Sequence, residues 1–378
     1  MPNIESIIDF LDPVNVFELS NDEGFKGTQL GRHINLYDES FPDITDADMV
    51  LVGCGESRGM FTEADYAAGP NAVRKEFYGL FHWHQDVKVA DIGNVKTGSS
   101  LKDSYAALSA VVNELLLHNK RVVILGGSHD LTVAQYKAYA HMEQIIEAVC
   151  VDAKIDLDIE SVMPAENFLM GMLTAEPNFI RNYNHIGFQS YFVHPDMLQT
   201  IDRLRFDCFR VGRVKENMEE MEPVIRNTHL FSFDIAAIQN SHAPANRTTP
   251  NGFNGEEACT LMQYAGMSPT VNSVGIYGFD PRLDVHDLTA KQVSHMLWYF
   301  MDGISKGKME AAIEERNHYN EFNMAFAEIE TSFLQSKKSG RWWMQLPDGK
   351  FIACSHRDYI AASRNDIPER WLRAIERS

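Results

Sequence analysis

No apolar run in this sequence approaches the roughly 18–20 residues that a membrane-spanning helix requires. The opening stretch, MPNIESIIDFLDP, has acidic residues early and no basic segment before them, so it is not expected to act as a secretory signal. The five cysteines (Cys54, Cys150, Cys208, Cys259, Cys354) are odd in number and show no CxxC spacing. This argues against a disulfide framework or a zinc–cysteine site and points to a reducing cytoplasm. Positive charge is scarce too. The formal net charge is −19, so no basic field exists to repay counterion release, and neither nucleic acid nor an anionic membrane is expected as a partner. Internal repeats of solenoid period and low-complexity linkers are missing as well.

What is present is a globular pattern. With 378 residues, the chain has enough material for one large core or two modest ones. Residues 1–46 mix short apolar stretches with Asp, Pro and Asn and read as an N-terminal extension. Regularity begins near residue 47. MVLVGCG (49–55), KVADIGNV (88–95) and RVVILGG (121–127) are short apolar runs closed by glycine or a turn, as buried strands are. EAVCVDAKIDLD (147–158), HIGFQS (185–190), CFRVGR (208–213), HLFSFDI (229–235) and NSVGIYGFD (272–280) continue the series. Helical spacing recurs between them at 67–81, 101–119, 129–142 and 288–303. In the last, Thr289 and Gln292 have capping-box spacing and Gly303 occupies a C-cap place. Buried strands alternating with helices imply a three-layer α/β/α domain with a mainly parallel sheet, spanning 47–305. Residues 306–340 read as helical and polar. The whole 306–378 segment is expected to pack on the core, with Trp342 and Trp343 as packing residues rather than a ligand platform.

Three of the strands end in metal-type residues. RVVILGG runs into Ser128-His129-Asp130, EAVCV into Asp152-Ala153-Lys154-Ile155-Asp156, and HLFSF into Asp234-Ile235-Ala236. In a parallel sheet, ligands bind at the carboxyl ends of strands. Histidine with several carboxylates suits a hard or borderline divalent ion such as Mn²⁺. If the strand continues past Val151, positions 152, 154 and 156 share one side of it.

The order and spacing of these segments resemble the ureohydrolase family of arginases, agmatinases and formimidoylglutamases. The family's Gly-Gly-Asp-His-Ser, Asp-Ala-His-x-Asp and Asp-x-Asp motifs stand here as GGSHD (126–130), DAKID (152–156) and DIA (234–236). VGCGESRG (52–59), GPNAVRKEF (69–77), TTPNGFNGEE (248–257) and GFDPRLD (278–284) resemble further family segments, and HIGFQSYF (185–192) leans toward formimidoylglutamase-like members. The resemblance covers about residues 49–305. It implies an arginase-like fold and hydrolysis of a C–N bond in a linear amidine or guanidino compound such as formimidoylglutamate. It also implies a homo-oligomer.

The resemblance further implies metal ligands at His129, Asp152, Asp156 and Asp234. Lys154 stands where the family has a histidine, and Ala236 where it has an aspartate. In the family the four retained positions hold one metal, and the two lost positions serve only the second. An ammonium has no lone pair to donate, so Lys154⁺ cannot ligate. Three carboxylates are balanced by one divalent cation plus Lys154⁺. Two arrangements follow: one Mn²⁺-type ion with the second absent, or a metal-free site in which Lys154 bridges the aspartates. Asp156 and Lys154 are the candidate catalytic groups, Lys154 as a base if its ammonium were neutralised.

Other departures bear on activity. The family glutamate that pairs with a guanidinium aligns with Gly278. Asp280 is nearby, either as its substitute or as a turn residue before Pro281. The segment ENFLMGML (166–173) offers Met170 where some members carry a shuttle histidine. Two functions therefore compete: an amidinohydrolase weakened by the loss of the second metal, and a non-catalytic ureohydrolase-like protein with a ligand-binding or assembly role.

Overall fold

Along the strand Met49–Cys54 every residue is buried, yet successive side chains enter different cores. Met49 and Leu51 join one apolar cluster and Val50 and Val52 the other. Val123 and Leu125 likewise separate from Val122 and Ile124. A period of two with both faces apolar is the signature of a sheet covered on both sides. The structure, a computed structural model, describes residues 4–20, 24–60 and 65–377.

The strands are β1 (Leu11–Asp12), β2 (Asn35–Leu36), β3 (Met49–Cys54), β4 (Val89–Val95), β5 (Arg121–Gly126), β6 (Ile146–Val151), β7 (Ile180–Phe188), β8 (Asp207–Arg210), β9 (Leu230–Asp234) and β10 (Ser273–Tyr277). They form a ten-stranded sheet in the order β1-β4-β3-β5-β10-β9-β6-β7-β8, with β2 also beside β4. From β4 to β8 every pairing is parallel, and β1 runs antiparallel along the β4 edge. Helices Leu101–Leu117, Thr132–His141 and Pro164–Leu173 bury against one face. Helices Gly69–Tyr78, Gly255–Met267 and Leu288–Lys308 bury against the other. This is the expected three-layer α/β/α architecture. Among the described residues no helix is long and apolar enough to cross a membrane.

Two features expected of the helix starting near 288 are corrected. Its first amides are capped by Asp284, whose carboxylate accepts from the backbone N–H of Thr289 (2.9 Å) and Ala290 (3.1 Å), so no Thr289–Gln292 capping box forms. Gly303 does not end the helix, which runs on to Lys308. Instead it marks a close crossing: a Cβ at Gly303 would meet Gln263 O at 2.3 Å, and one at Gly266 would meet Phe300 O at 2.2 Å. The two glycines let helices Gly255–Met267 and Leu288–Lys308 touch backbone to backbone.

The helical reading of 306–340 is also corrected. After Lys308 the chain forms an antiparallel sheet, β11 (Tyr319–Phe326), β12 (Ile329–Ser336), β13 (Trp342–Gln345) and β14 (Phe351–Cys354), followed by helices His356–Ser363 and Glu369–Glu376. β11 alternates exposed polar residues with partly covered apolar ones and is buried only at Tyr319 and Phe326, as a strand with one wet face is. Trp342 and Trp343 are both buried, consistent with packing. The tail is fastened by charge. Arg226, paired with Glu222, donates to Trp342 O at 2.7 Å and lies 4.4 Å from the Trp343 ring. Arg341 in turn reaches Glu222 (3.5 Å) and Glu310 (2.7 Å).

Candidate metal centre

β5, β9 and β6 end on the same edge of the sheet, and the metal-type residues follow from those ends. After β5 the backbone of Gly127 presses on Glu56: a Cβ there would lie 1.8 Å from Glu56 O. Only glycine tolerates such an approach. The chain then turns through a 3-10 segment, His129–Leu131, which swings the imidazole over the strand ends.

The sequence candidates His129, Asp152, Asp156 and Asp234 are brought together. His129 Nδ1 lies 3.2 Å from Asp152 Oδ2, 2.9 Å from Asp156 Oδ2 and 3.7 Å from Asp234 Oδ2. One ligand atom each from His129, Asp152 and Asp234 falls within 4.8 Å of the others. His129 Nδ1 and Asp156 Oδ2 are both buried and neither has a hydrogen-bond partner, despite their proximity. A cation held by His129, Asp152 and Asp234 would satisfy such buried atoms, while Asp156 adjoins that three-residue group without belonging to it. The residue set therefore fits a divalent ion held by nitrogen and carboxylate oxygens.

Burial and mutual repulsion hold all three carboxyls above the ordinary range. Burial, followed by the Asp152 charge, pushes the Asp234 carboxyl up to about 7. Asp152 is raised by burial and by Asp156, and Asp156 by burial and Asp234. Burial disfavours charge on His129, but Cys150, Asp152 and Asp156 together drive its pKa well above the ordinary value. Clustered like charges of this kind recruit a cation or retain protons.

Lys154 is placed differently from either arrangement in the sequence analysis. β6 stops at Val151, and Asp152 Oδ1 accepts from the Lys154 backbone N–H at 3.3 Å, closing a turn. Positions 152, 154 and 156 therefore do not share one side. Asp152 and Asp156 turn in to His129. Lys154 turns out, its side chain 40% exposed, and among the described residues its one ion pair is with Glu166 at 3.9 Å. It does not bridge the aspartates, although its charge still favours ionised Asp156 and Asp234 at longer range.

Asp280 is taken up structurally. It holds Arg282 in a 2.7 Å ion pair and accepts from the Asp65 N–H at 3.1 Å, the turn role rather than a substitute for the family glutamate. Gly278 has φ +85° and lies against Asp234. Met170 lies on the helix Pro164–Leu173, whose Phe168 packs edge-on against His129 with centroids 4.9 Å apart.

Several residues around the site escaped the sequence reading. His129 Nε2 meets Ser232 Oγ at 2.9 Å and Cys150 Sγ at 3.4 Å. His185 Nε2 lies 3.1 Å from Asp152 O, and its Nδ1 faces Tyr183 OH at 2.9 Å. Burial lowers the His185 pKa to about 4, so the ring is neutral, donating to Asp152 and accepting from Tyr183. Strand alternation was the available signal: Cys150 and Ser232 each precede a site aspartate by two residues.

A profile of the arginase family matches residues 47–302. The chain belongs to the arginase family. Among curated arginase-family relatives, a formimidoylglutamase from Staphylococcus aureus strain MRSA252 is 24% identical over 246 residues, 62% of this chain and 78% of that protein. The arginase fold is seen again in solved structures. The formimidoylglutamase of Bacillus subtilis subsp. subtilis str. 168 superposes with a TM-score of 0.66 at 17% identity, covering 76% of this chain and 95% of that one. A Trypanosoma cruzi formiminoglutamase solved with Mn²⁺ gives 0.62 at 18% identity, covering 69% and 94%. The expectation of a hydrolase of this family agrees with these relatives.

Proposed function

We propose that this arginase-family chain hydrolyses a C–N bond of a linear amidine or guanidino compound, of formimidoylglutamate type, with one divalent cation held by His129, Asp152, Asp156 and Asp234. The observation that carries the reading is the buried, unpartnered Nδ1 of His129 facing three carboxylates. A divalent cation such as Mn²⁺ there would acidify a water and polarise the electrophilic carbon. Asp156 is the candidate group to orient that water. Lys154, half-exposed beside Glu166, is placed at the rim rather than over the cluster. The same reading includes a homo-oligomer, as the family resemblance implies, and a reducing cytoplasm, with which the five free cysteines agree.

A second reading is favoured by specific residues. Ala236 offers no ligand, Lys154 faces outward, and Gly278 leaves no room for a guanidinium-binding carboxylate. These support a non-catalytic ligand-binding or assembly role. The test is ammonia and urea release from formimidoylglutamate, agmatine, arginine and guanidinobutyrate, with and without added Mn²⁺. Mn²⁺-dependent turnover of one of them supports the hydrolase, and no turnover of any favours the second role.

A further inference from the structure

β8 and β14 each end a sheet. β8 pairs only with β7, and β14 pairs only with β13. Among the described residues no further backbone hydrogen bond closes the outer side of either strand. An open edge offers alternate N–H and C=O groups to any extended chain that reaches it.

The two strands line one groove. Residues 207–209 of β8 and 351–353 of β14 border a cavity of about 1290 Å³ between the main domain and the tail. That exceeds the roughly 300–1,000 Å³ of a small-molecule pocket. Each strand has four residues and so runs about 13 Å, the reach of a short extended peptide. Apolar side chains line the same space, among them Phe188, Val214, Met221, Phe351 and Ile367. The tail wall is pinned in place. Arg370 pairs with Asp358 and Glu220, and Arg373 and Arg377 both pair with Asp207 of β8.

Positive charge collects here. Eight Lys and Arg line the groove against seven Asp and Glu, in a chain of net charge −19. Most of these groups are paired with each other. Among the described residues Arg213, Arg357 and Arg364 have no carboxylate partner. Asn217 joins the first two: its Oδ1 accepts from Arg357 Nη1 at 2.7 Å, and its Nδ2 donates to Arg213 O at 3.4 Å. Arg213 belongs to the main domain and Arg357 to the tail, so uncompensated cations stand on both walls. Asp366 and Glu369, also without an ion pair, lie close together in sequence on the tail alone.

We propose that this groove is a docking site for an extended acidic segment of a partner protein, which pairs its main chain with one of the two open edges. Side chains of an added strand alternate, so carboxylates on one side reach Arg213 and Arg357 while apolar residues on the other cover Phe351 and Met221. The proposal does not depend on the cation reading.

The experiment is fluorescence polarisation on the full chain with labelled octapeptides in which Glu alternates with Val, Ile or Phe. The same peptides with Lys in place of Glu serve as the comparison. The acidic peptides are expected to bind and the basic ones not to. Arg213→Glu combined with Arg357→Glu should weaken the acidic peptides at least about tenfold, because like charges then meet across the groove. N-methylation of alternate peptide amides should weaken binding about tenfold or more by removing the main-chain hydrogen bonds. Hydrogen exchange on the parent chain gives a reading that needs no variant: the amides of 207–210 or of 351–354 should gain protection with the acidic peptide. Failure of every acidic peptide to bind overturns the inference, and so does equal binding of the basic ones. Unchanged binding after N-methylation, or displacement of the peptide by an equal concentration of pyrophosphate, overturns the strand mode in favour of a small anion. A parent oligomer that dissociates in the double arginine variant, seen by sedimentation, assigns the groove to a second copy of the chain and overturns it as well.

Discussion

The backbone of Gly278 lies against the carboxylate of Asp234: a Cβ built at Gly278 would stand 2.8 Å from Oδ1 and 3.0 Å from Oδ2. The residue also holds φ +85°, where side chains are strained. The family glutamate therefore cannot be restored without displacing the Asp234 carboxylate. Gly278→Glu is expected to bind Mn²⁺ more weakly than the parent, to gain no amidine turnover, and to lose about 1–3 kcal/mol of stability. Calorimetry and denaturant unfolding measure all but the turnover. An increase in turnover would show that Asp234 can yield.

The two lost ligand positions make a gain-of-binding test. Metal analysis after dialysis should find one Mn²⁺ per parent chain. Lys154→His combined with Ala236→Asp should hold two, because it supplies a nitrogen and a carboxylate, with the side chain at 154 turning in from the rim it occupies in the parent. Two ions in the parent, or still one in the double variant, would contradict the half-site description.

Proton competition sets a pH dependence for metal uptake. In the cation-free chain the Asp234 carboxyl is raised to about 7, and a metal must displace its proton. A raised carboxyl favours the cation-free fold at low pH, and that contribution is lost as pH rises through about 7. The cation-bound state gains over the same interval. Apparent Mn²⁺ affinity should therefore fall at least about tenfold per pH unit below 7 and level off above it. The rise in melting temperature on adding Mn²⁺ should be largest on the alkaline side. Affinity that is flat between pH 5 and 8 would remove Asp234 from the ligand set.

Glu56, whose backbone abuts the turn that leads into His129, gives an acid-stability prediction. Burial alone would raise its pKa, but Arg58 and Ser104, with contacts of 2.6 Å each, hold it down to about 2. A carboxylate depressed below its ordinary 4.5 stabilises the fold above that pH, and the contribution drains away as pH falls from 4.5 toward 2. Glu56→Gln should lose about 1–3 kcal/mol at neutral pH and show a shallower acid limb in urea unfolding. Equal stability of parent and variant at pH 7 would contradict the assignment.

The core was legible because parallel strands buried on both faces write themselves as continuous apolar runs ending in glycine, as at 121–127. The cluster was legible because its members directly follow three such runs. The direction of Lys154 was not, since the Asx turn closed by Asp152 ends the strand and breaks the alternation that would have aligned 152, 154 and 156. The tail was misread for a related reason. YNEFNMAF carries polar residues along a wet face, IETSFLQS buries polar Thr331 and Ser336 beside Phe333 and Leu334, and without a long apolar run both resemble a polar helix. Gly303 was misread as a stop because close helix crossing and helix termination call for the same residue. The partners of His129 lay within strands already identified, but nothing local in the sequence pairs Cys150 with Ser232.

The arginine–glutamate fastening of the tail makes the last seventy or so residues more than an appendage. Glu222 and Arg226 lie under the tail strands, so detaching those strands would open two buried charges to solvent along with the apolar faces of Trp342 and Trp343. The two sheets are therefore expected to melt in a single transition by calorimetry, and two resolved transitions would contradict this coupling. A version trimmed near residue 308 would thus forfeit solubility and integrity in the catalytic-type domain it leaves behind.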